Sequence, residues 1–437
     1  MKRIQTFLQN LATNKELRTK LIFTLAIFLI YRFLAHVPVP AVDIQSLQTL
    51  FAGNQFLSFL NVFSGGTLSQ FSIMAVGISP FITASIIMQL AGMVFPQIKE
   101  LQKDGESGRE KLNQYTRLMS VPFAVIQSIS VLTLLNSQNL IQASDPITII
   151  AMIMAMVAGA MIIMWLGELI TLYGLGNGIS MILLAGIISQ LPTSLAQAFS
   201  ASTGGQQITT NLVFGVVFIL VIGLIVFMNE AIRKVSIQYA KRVRGSRMLG
   251  GESTHLPIRV NVAGVMPIIF AVSIMLAPSF IGNLLVSAAN TSVGERFGET
   301  NFIEWGTNLQ IWFASTSVTY MISYFVVVFI FTYFSALIFF NTKDISDELK
   351  KSGAFIPGTR PGGPTKKYLE FVVTRITLAG AIFLGFIAIL PSVAQRFTGV
   401  GSLAIGGTSV LIVVSVILET TKQVESMLVG QHYDKYL

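Results

Sequence analysis

The chain has 437 residues, of which 53% are hydrophobic and only 11% charged, whereas a soluble domain carries about 25% charged residues. A water-facing surface cannot be built from that composition, which excludes a soluble enzyme and a disordered chain and leaves a polytopic helical membrane protein. The absence of cysteine excludes disulfides, thiolate metal sites and iron–sulfur clusters, the three histidines (His36, His255, His432) are scattered, and the net charge of +9 fits anionic lipid or an acidic or RNA-bearing partner at one face.

In chain order, residues 1–20 form an amphipathic, partly charged stretch. The apolar run behind them ends in Val37, Pro38, Val39 and Pro40 with no small-residue cleavage pattern, so no removable leader is expected. Apolar runs predict ten spans, at 21–37, 72–95, 118–135, 147–172, 179–191, 212–231, 262–286, 318–340, 372–391 and 403–419. Of the 29 lysines and arginines, 26 fall before the first span, in connections that follow even-numbered spans, or after the last, which makes that side cytoplasmic and puts both termini there. Two of these connections, 233–259 and 341–375, are long, polar and basic. Basic loops can do no more than fix orientation, but short turns would join neighbouring helices, so their length points to a docking surface for a large cytoplasmic partner. The polar stretch 192–211 divides the chain into halves, 1–195 and 196–437, with five spans each. Halves with five spans have opposite topology, so an inverted pair with a path between them is expected, although no sequence repeat is visible.

Pumps and ion-coupled transporters need groups that change charge at membrane depth. Here Arg32, Glu168, Glu230, Arg375 and Glu419 lie in or beside spans, and all but Arg32 sit near cytoplasmic span ends, where snorkelling or capping is expected. Arg32 is expected to pair with or hydrogen-bond a neighbouring helix. No phosphate-loop pattern occurs, so nucleotide hydrolysis, a catalytic residue, a cofactor and a metal site are not expected. Residues 61–70, broken by a Gly-Gly pair, read as a re-entrant or interfacial element. Ile78 and Ile82 bracket Pro80 at helical spacing, and Ile179 and Leu183 repeat that spacing after a glycine-rich break; aliphatic pairs of this kind more often simply pack or face lipid. A secondary transporter with helices broken at 77–80 and 176–178 stays as an alternative, weakened by the missing titratable groups, and a structural scaffold leaves the glycine-rich segment unexplained.

Seven stretches occurring in order resemble the SecY family, the channel subunit of the bacterial Sec protein translocase. They are VPVPAVD at 37–43, FSGGTLSQFSIMAVGISPFITASIIMQL at 63–90, DGESGREKLNQYTR at 104–117, LGNGIS at 175–180, QYAKRVRGSRMLGGESTHLPIRVNV at 238–262, FIPGTRPGGP at 355–364 and GGTSVLIV at 406–413. The resemblance implies an all-α fold of ten transmembrane helices in two inverted halves around a central pore. It implies a non-enzymatic, protein-conducting channel that passes unfolded proteins across the membrane and releases transmembrane segments sideways into lipid.

By matching position it implies a constriction ring of Ile78, Ile82, Ile179, Leu183, Ile269 and Ile412, with Leu183 departing from isoleucine at conserved volume. It implies a plug of Phe63, Ser64, Gly65, Gly66, Thr67, Leu68, Ser69 and Gln70, and a lateral gate between the second and seventh spans with Gln89 hydrogen-bonding across it. Arg360, Lys241, Arg242, Arg244 and Arg247 are the implied docking residues; Gly363 and Glu419 depart mildly from the family pattern. The implied partners are small membrane subunits of SecE and SecG type, a SecA-type motor ATPase, the ribosome, preprotein signal sequences and anionic phospholipids, and the implied location is the bacterial plasma membrane.

Overall fold

The computed structural model describes residues 14–40, 42, 47, 61, 64–137, 140–141, 145–200, 207–239, 242–244, 247–249, 253–262, 264–289, 299–314, 317–398 and 402–434. Each of the ten predicted apolar runs overlaps a helix: α1 (Lys15–Leu34), α2 (Ser79–Val94), α4 (Gly105–Ser137), α5 (Pro146–Tyr173), α6 (Gly178–Ser200), α7 (Gln207–Glu230), α8 (Met266–Ala289), α10 (Val318–Phe339), α12 (Gly363–Thr398) and α13 (Ser402–Asp434). Among the described residues three further helices, α3 (Pro96–Lys103), α9 (Glu299–Trp312) and α11 (Thr342–Lys351), lie between them. Among the described residues four helical stretches, within α4, α5, α10 and α12, are both long and apolar enough to cross a bilayer, and α2 with α3 makes a fifth candidate bent by 109°. The bend has a local cause. Pro96 forces Phe95 before it into extended backbone (φ −99°, ψ 116°), which ends α2, and the proline then opens α3 at a position needing no N–H.

Polar side chains fix other helix starts. Asn14 caps α1 by accepting from the backbone N–H of Glu16 at 3.1 Å, and Asn177 caps α6 by accepting from Ile179 N–H at 3.1 Å. The second span is shorter than predicted: residues 73–78 are turns, and α2 begins only at Ser79. Gly77 at φ +66° breaks the run, and Pro80 sits in the first turn, where its missing N–H costs nothing.

Two groups of helices result. α1, α2, α4, α5 and α6 pack among themselves, as do α7, α8, α10, α12 and α13. The groups meet along two main seams, α8 against α2 and α4, and α13 against α6.

The fold departs from the all-α expectation outside the apolar runs. β1 (Ile232–Tyr239) pairs antiparallel with β4 (Ser253–Arg259) on one edge and with β5 (Ala354–Phe355) on the other, while β2 (Arg242–Arg244) and β3 (Arg247–Leu249) form a separate hairpin. The alternation in β1 is the reason: Val235 and Ile237 are buried while Lys234, Ser236 and Gln238 are exposed. These two side chains build a small core with Ile258, Ala354, Ile356, Leu369 and Val373. The two basic connections that read as separate loops are thus one platform joined through β1 and β5.

Candidate functional site

Five of the six expected ring residues, Ile78, Ile82, Leu183, Ile269 and Ile412, are buried members of a single apolar cluster, and Ile179 packs against it half-buried. They come from α2, α6, α8 and α13, so the cluster straddles both helix groups. Its members include Ile27, Ile86, Ile163 and Val265, which makes it broader than a ring of six. The geometry at Ile78 is set by backbone: it caps α2, and its carbonyl accepts from Ile82 N–H at 3.2 Å, which holds the two side chains one turn apart. At α6 the chain reaches Ile179 through Gly176 at φ +78°, with Leu175 N–H donating to the Thr24 hydroxyl at 3.1 Å and Gly178 N–H to the Thr171 hydroxyl at 2.9 Å. No side chain fits at Gly178, because a Cβ there would run into the Gly167 carbonyl.

Of the expected plug, Phe63 lies outside the described residues, and Ser64 to Gln70 form consecutive turns. Gly65 (φ +74°) and Gly66 (φ +83°) supply the left-handed backbone. The turn is tied internally: Thr67 donates to the carbonyls of Ser64 at 2.8 Å and Met74 at 2.9 Å, and Ser69 N–H donates to the Asn61 side chain at 2.9 Å. It is also seated on α6. A Cβ on Gly65 would lie 2.8 Å from the Gly186 Cα, and the Ser189 hydroxyl, which donates to the Gly186 carbonyl at 2.7 Å and accepts from Arg32 at 3.2 Å, lies 3.5 Å from the Gly65 carbonyl. Arg32 therefore meets its expectation of a hydrogen bond to a neighbouring helix.

Behind the turn, Phe71 N–H closes back on Leu68 at 3.1 Å, while Val39 N–H donates to the Phe71 carbonyl at 2.8 Å and Ile73 N–H to the Val37 carbonyl at 3.0 Å. The Val37 to Pro40 stretch is thus a short strand edge that hooks the segment after the turn, a role its sequence did not reveal. Phe71 itself sits fully buried at φ +41°, a strained value for a side-chain-bearing residue.

A cavity of about 60 Å³ opens between this turn, the cluster and the α8 seam. Ser64 and Leu68 of the turn, the cluster residues Ile78, Ile82, Leu183 and Ile269, and the polar Ser79, Gln127 and Ser273 all line it. Sequence reading missed Gln127 on α4, whose amide nitrogen reaches the Ser79 hydroxyl at 3.4 Å. The signal available was a glutamine isolated in an apolar run.

Gln89 stands on the Ile82 and Ile86 face of α2, but its Oε1 is buried and accepts no hydrogen bond among the described residues, so the expected bond across the gate is not accepted there.

Three of the ionisable residues at span ends, Glu168, Glu230 and Arg375, have partners. Arg117 on α4 pairs with Glu168 on α5, Lys422 on α13 with Glu230 on α7 at 2.8 Å, and the Arg375 guanidinium stacks 4.0 Å from the Phe371 ring centre. On the platform, Lys241 lies outside the described residues. Arg242, Arg244 and Arg247 belong to the β2–β3 hairpin, with Arg244 opposite Arg247, and their side chains lie outside the described ones. Arg360 is exposed, with no ion pair among the described residues, on a loop pinned at both ends. Its own carbonyl accepts from Thr365 at 2.8 Å, and the Gly362 carbonyl accepts from Ser346 of α11 at 2.8 Å.

The SecY family model matches residues 72–421. The chain belongs to the SecY family. A protein translocase subunit SecY from Mycobacterium bovis is 40% identical over 99% of this chain and 100% of its own length, and one from Streptomyces coelicolor is 38% identical over 97% of each. A solved protein-conducting channel superposes with a TM-score of 0.62 at 18% identity, covering 94% of this chain and 92% of that one. A second structure, reported to show that the plug domain of the SecY protein stabilises the closed state and maintains a membrane seal, matches with the same TM-score and identity. At that identity the likeness speaks to the fold, and it extends through both helix groups of this SecY-family chain.

Proposed function

We propose that this chain is the protein-conducting channel subunit of a bacterial Sec translocase, passing unfolded secretory proteins across the plasma membrane and releasing transmembrane segments sideways into lipid. All ten long helices cross the bilayer in two inverted halves, 1–195 and 196–437, with both termini cytoplasmic. The observation that carries the reading is the convergence of the six aliphatic ring positions on one cluster shared by both helix groups, with a glycine turn seated beside it. Such a constriction resists wetting at rest and offers a passing peptide a seal without strong binding. The Ser64 to Gln70 turn, with Phe63, is the plug; the α8 seam against α2 and α4 is the lateral gate, with Gln89 in it.

The chain supplies no energy of its own. A SecA-type motor or a translating ribosome docks on the platform through Arg360 and the basic hairpin with Lys241, Arg242, Arg244 and Arg247. Small SecE-type and SecG-type subunits hold the halves, signal sequences enter at the gate, and anionic phospholipids meet the basic cytoplasmic face.

The test is ATP-driven movement of an unfolded preprotein into vesicles containing the purified channel and a SecA-type motor. Transport is expected with the parent chain, and Arg360→Glu is expected to lose about 100-fold of it or more, since reversing a charge at a tight contact costs about 3 kcal/mol or more. No transport by the parent would overturn the function, and full transport by the charge-reversed chain would overturn the docking assignment.

A further inference from the structure

We propose that α9 is a half-membrane helix that dips into the outer leaflet beside α8 and presents Trp305 and Trp312 to lipid. The inference rests on the membrane topology proposed above, in which the connection between α8 and α10 lies on the outer side.

Packing sets its direction. A Cβ on Gly282 of α8 would lie 2.8 Å from the Gly306 carbonyl oxygen of α9 and 3.2 and 3.3 Å from atoms of Gln310 and Leu309, while one on Gly306 would lie 3.2 Å from Val286 N. Later residues of α8 therefore meet earlier residues of α9, so the helices are antiparallel. The two glycines let their backbones approach as small residues do between membrane helices. An outward-running α8 makes α9 run back inward.

The opposite side of α9 is uncovered: Trp305 is 70% and Trp312 55% exposed. They are seven residues apart and so share a face, with the exposed Glu304 and half-buried Asn308 beside them. A face mixing tryptophan with polar groups suits the boundary between headgroups and chains rather than bulk water or mid-bilayer. The occupant is lipid because exposed apolar side chains flank the helix on both neighbours, Ile281 on α8 and Val318 and Ile322 on α10, where the proposed spans meet the same leaflet. The antiparallel course further fixes a depth order, Trp312 lying about 10 Å further along the inward axis than Trp305.

The chain has three tryptophans, the third being Trp165, exposed on α5, so each can be isolated. The channel, purified with its small subunits, is reconstituted into phosphatidylcholine vesicles brominated either near the headgroup end of the acyl chain or near its terminus. Fluorescence is compared among W165F/W312F, W165F/W305F and W305F/W312F, with a parallel tyrosine set in case a phenylalanine variant misfolds. Expected is quenching of Trp305 mainly by the shallow bromines, a relative shift toward the deep bromines for Trp312, and quenching of Trp165 as the internal control. Quenched Trp165 with unquenched Trp305 and Trp312 would overturn the inference alone, because α9 would then be in water or under a protein subunit. Equal depth or a reversed order would overturn the inward dip. Absence of quenching at Trp165 as well would overturn the membrane topology beneath it.

Discussion

The two seams between the helix groups are built differently. Where α13 meets α6, Met181, Val413 and Val416 belong to the central cluster, the Thr420 hydroxyl touches the Met181 sulfur at 3.5 Å, and Leu17, Leu175 and Val424 close one end with apolar packing. Where α8 meets α2 and α4, there is a cavity of about 60 Å³ lined in part by Ser79, Gln127 and Ser273, and further along α2 the Gln89 Oε1 is buried without a partner among the described residues. Dispersion contacts are forfeited at a void, and an unmet acceptor adds its own cost, so the second seam has less to lose by parting. Under the function proposed above, the incompletely packed α8 seam is the one that opens and the apolar α13 seam is the one that stays closed.

That contrast can be tested by substitution. The largest effect is expected at the cluster both seams share: Ile82→Ser should raise resting ion conductance in planar bilayers about tenfold or more, since a hydroxyl in an apolar constriction lets it wet. A smaller leak is expected from Gly65→Ala. The φ of +74° and the 2.8 Å approach to Gly186 leave no place for the methyl group, and unseating the turn costs about 1–3 kcal/mol of strain. Smaller again is Gln89→Leu, which removes the unmet acceptor and stabilises the closed seam by about 1 kcal/mol, so insertion of weakly hydrophobic signal sequences should fall about fivefold. At the opposite seam Thr420→Val should change insertion by less than about twofold, because its hydroxyl bonds only within α13, to Val416, and to a sulfur. A larger effect from Thr420→Val than from Gln89→Leu in the same insertion assay would break the contrast.

The apolar runs made the long helices legible because twenty-odd hydrophobic residues between basic connections admit few alternatives. Ring positions were legible only through the family resemblance: Ile78 and Ile82 announce a helix face, but nothing local tells them from lipid-facing isoleucines. Three features escaped because they depend on distant partners. The three-stranded sheet hides an eight-residue strand inside a basic connection and needs Ala354 and Phe355, more than a hundred residues on, for its third strand. The hook of Val37 and Val39 on Phe71 and Ile73 is a backbone pairing with no side-chain signature. The expectation at Gln89 failed for a related reason: an amide in a seam suggests a bond, and only the fold reveals that its oxygen is buried without a partner among the described residues.

Because the chain has no native cysteine, engineered pairs report cleanly on which seam parts. The most direct measurement compares Ser79→Cys with Ser273→Cys across the α8 seam and Met181→Cys with Thr420→Cys across the α13 seam. Each pair is closed with a short reducible thiol cross-linker in vesicles and assayed for motor-driven preprotein transport and signal-sequence insertion. The account predicts that bridging the α8 seam abolishes both activities until the bridge is reduced, whereas bridging the α13 seam leaves both close to the uncross-linked level. Full activity with the α8 seam bridged, or loss confined to the α13 bridge, would contradict it.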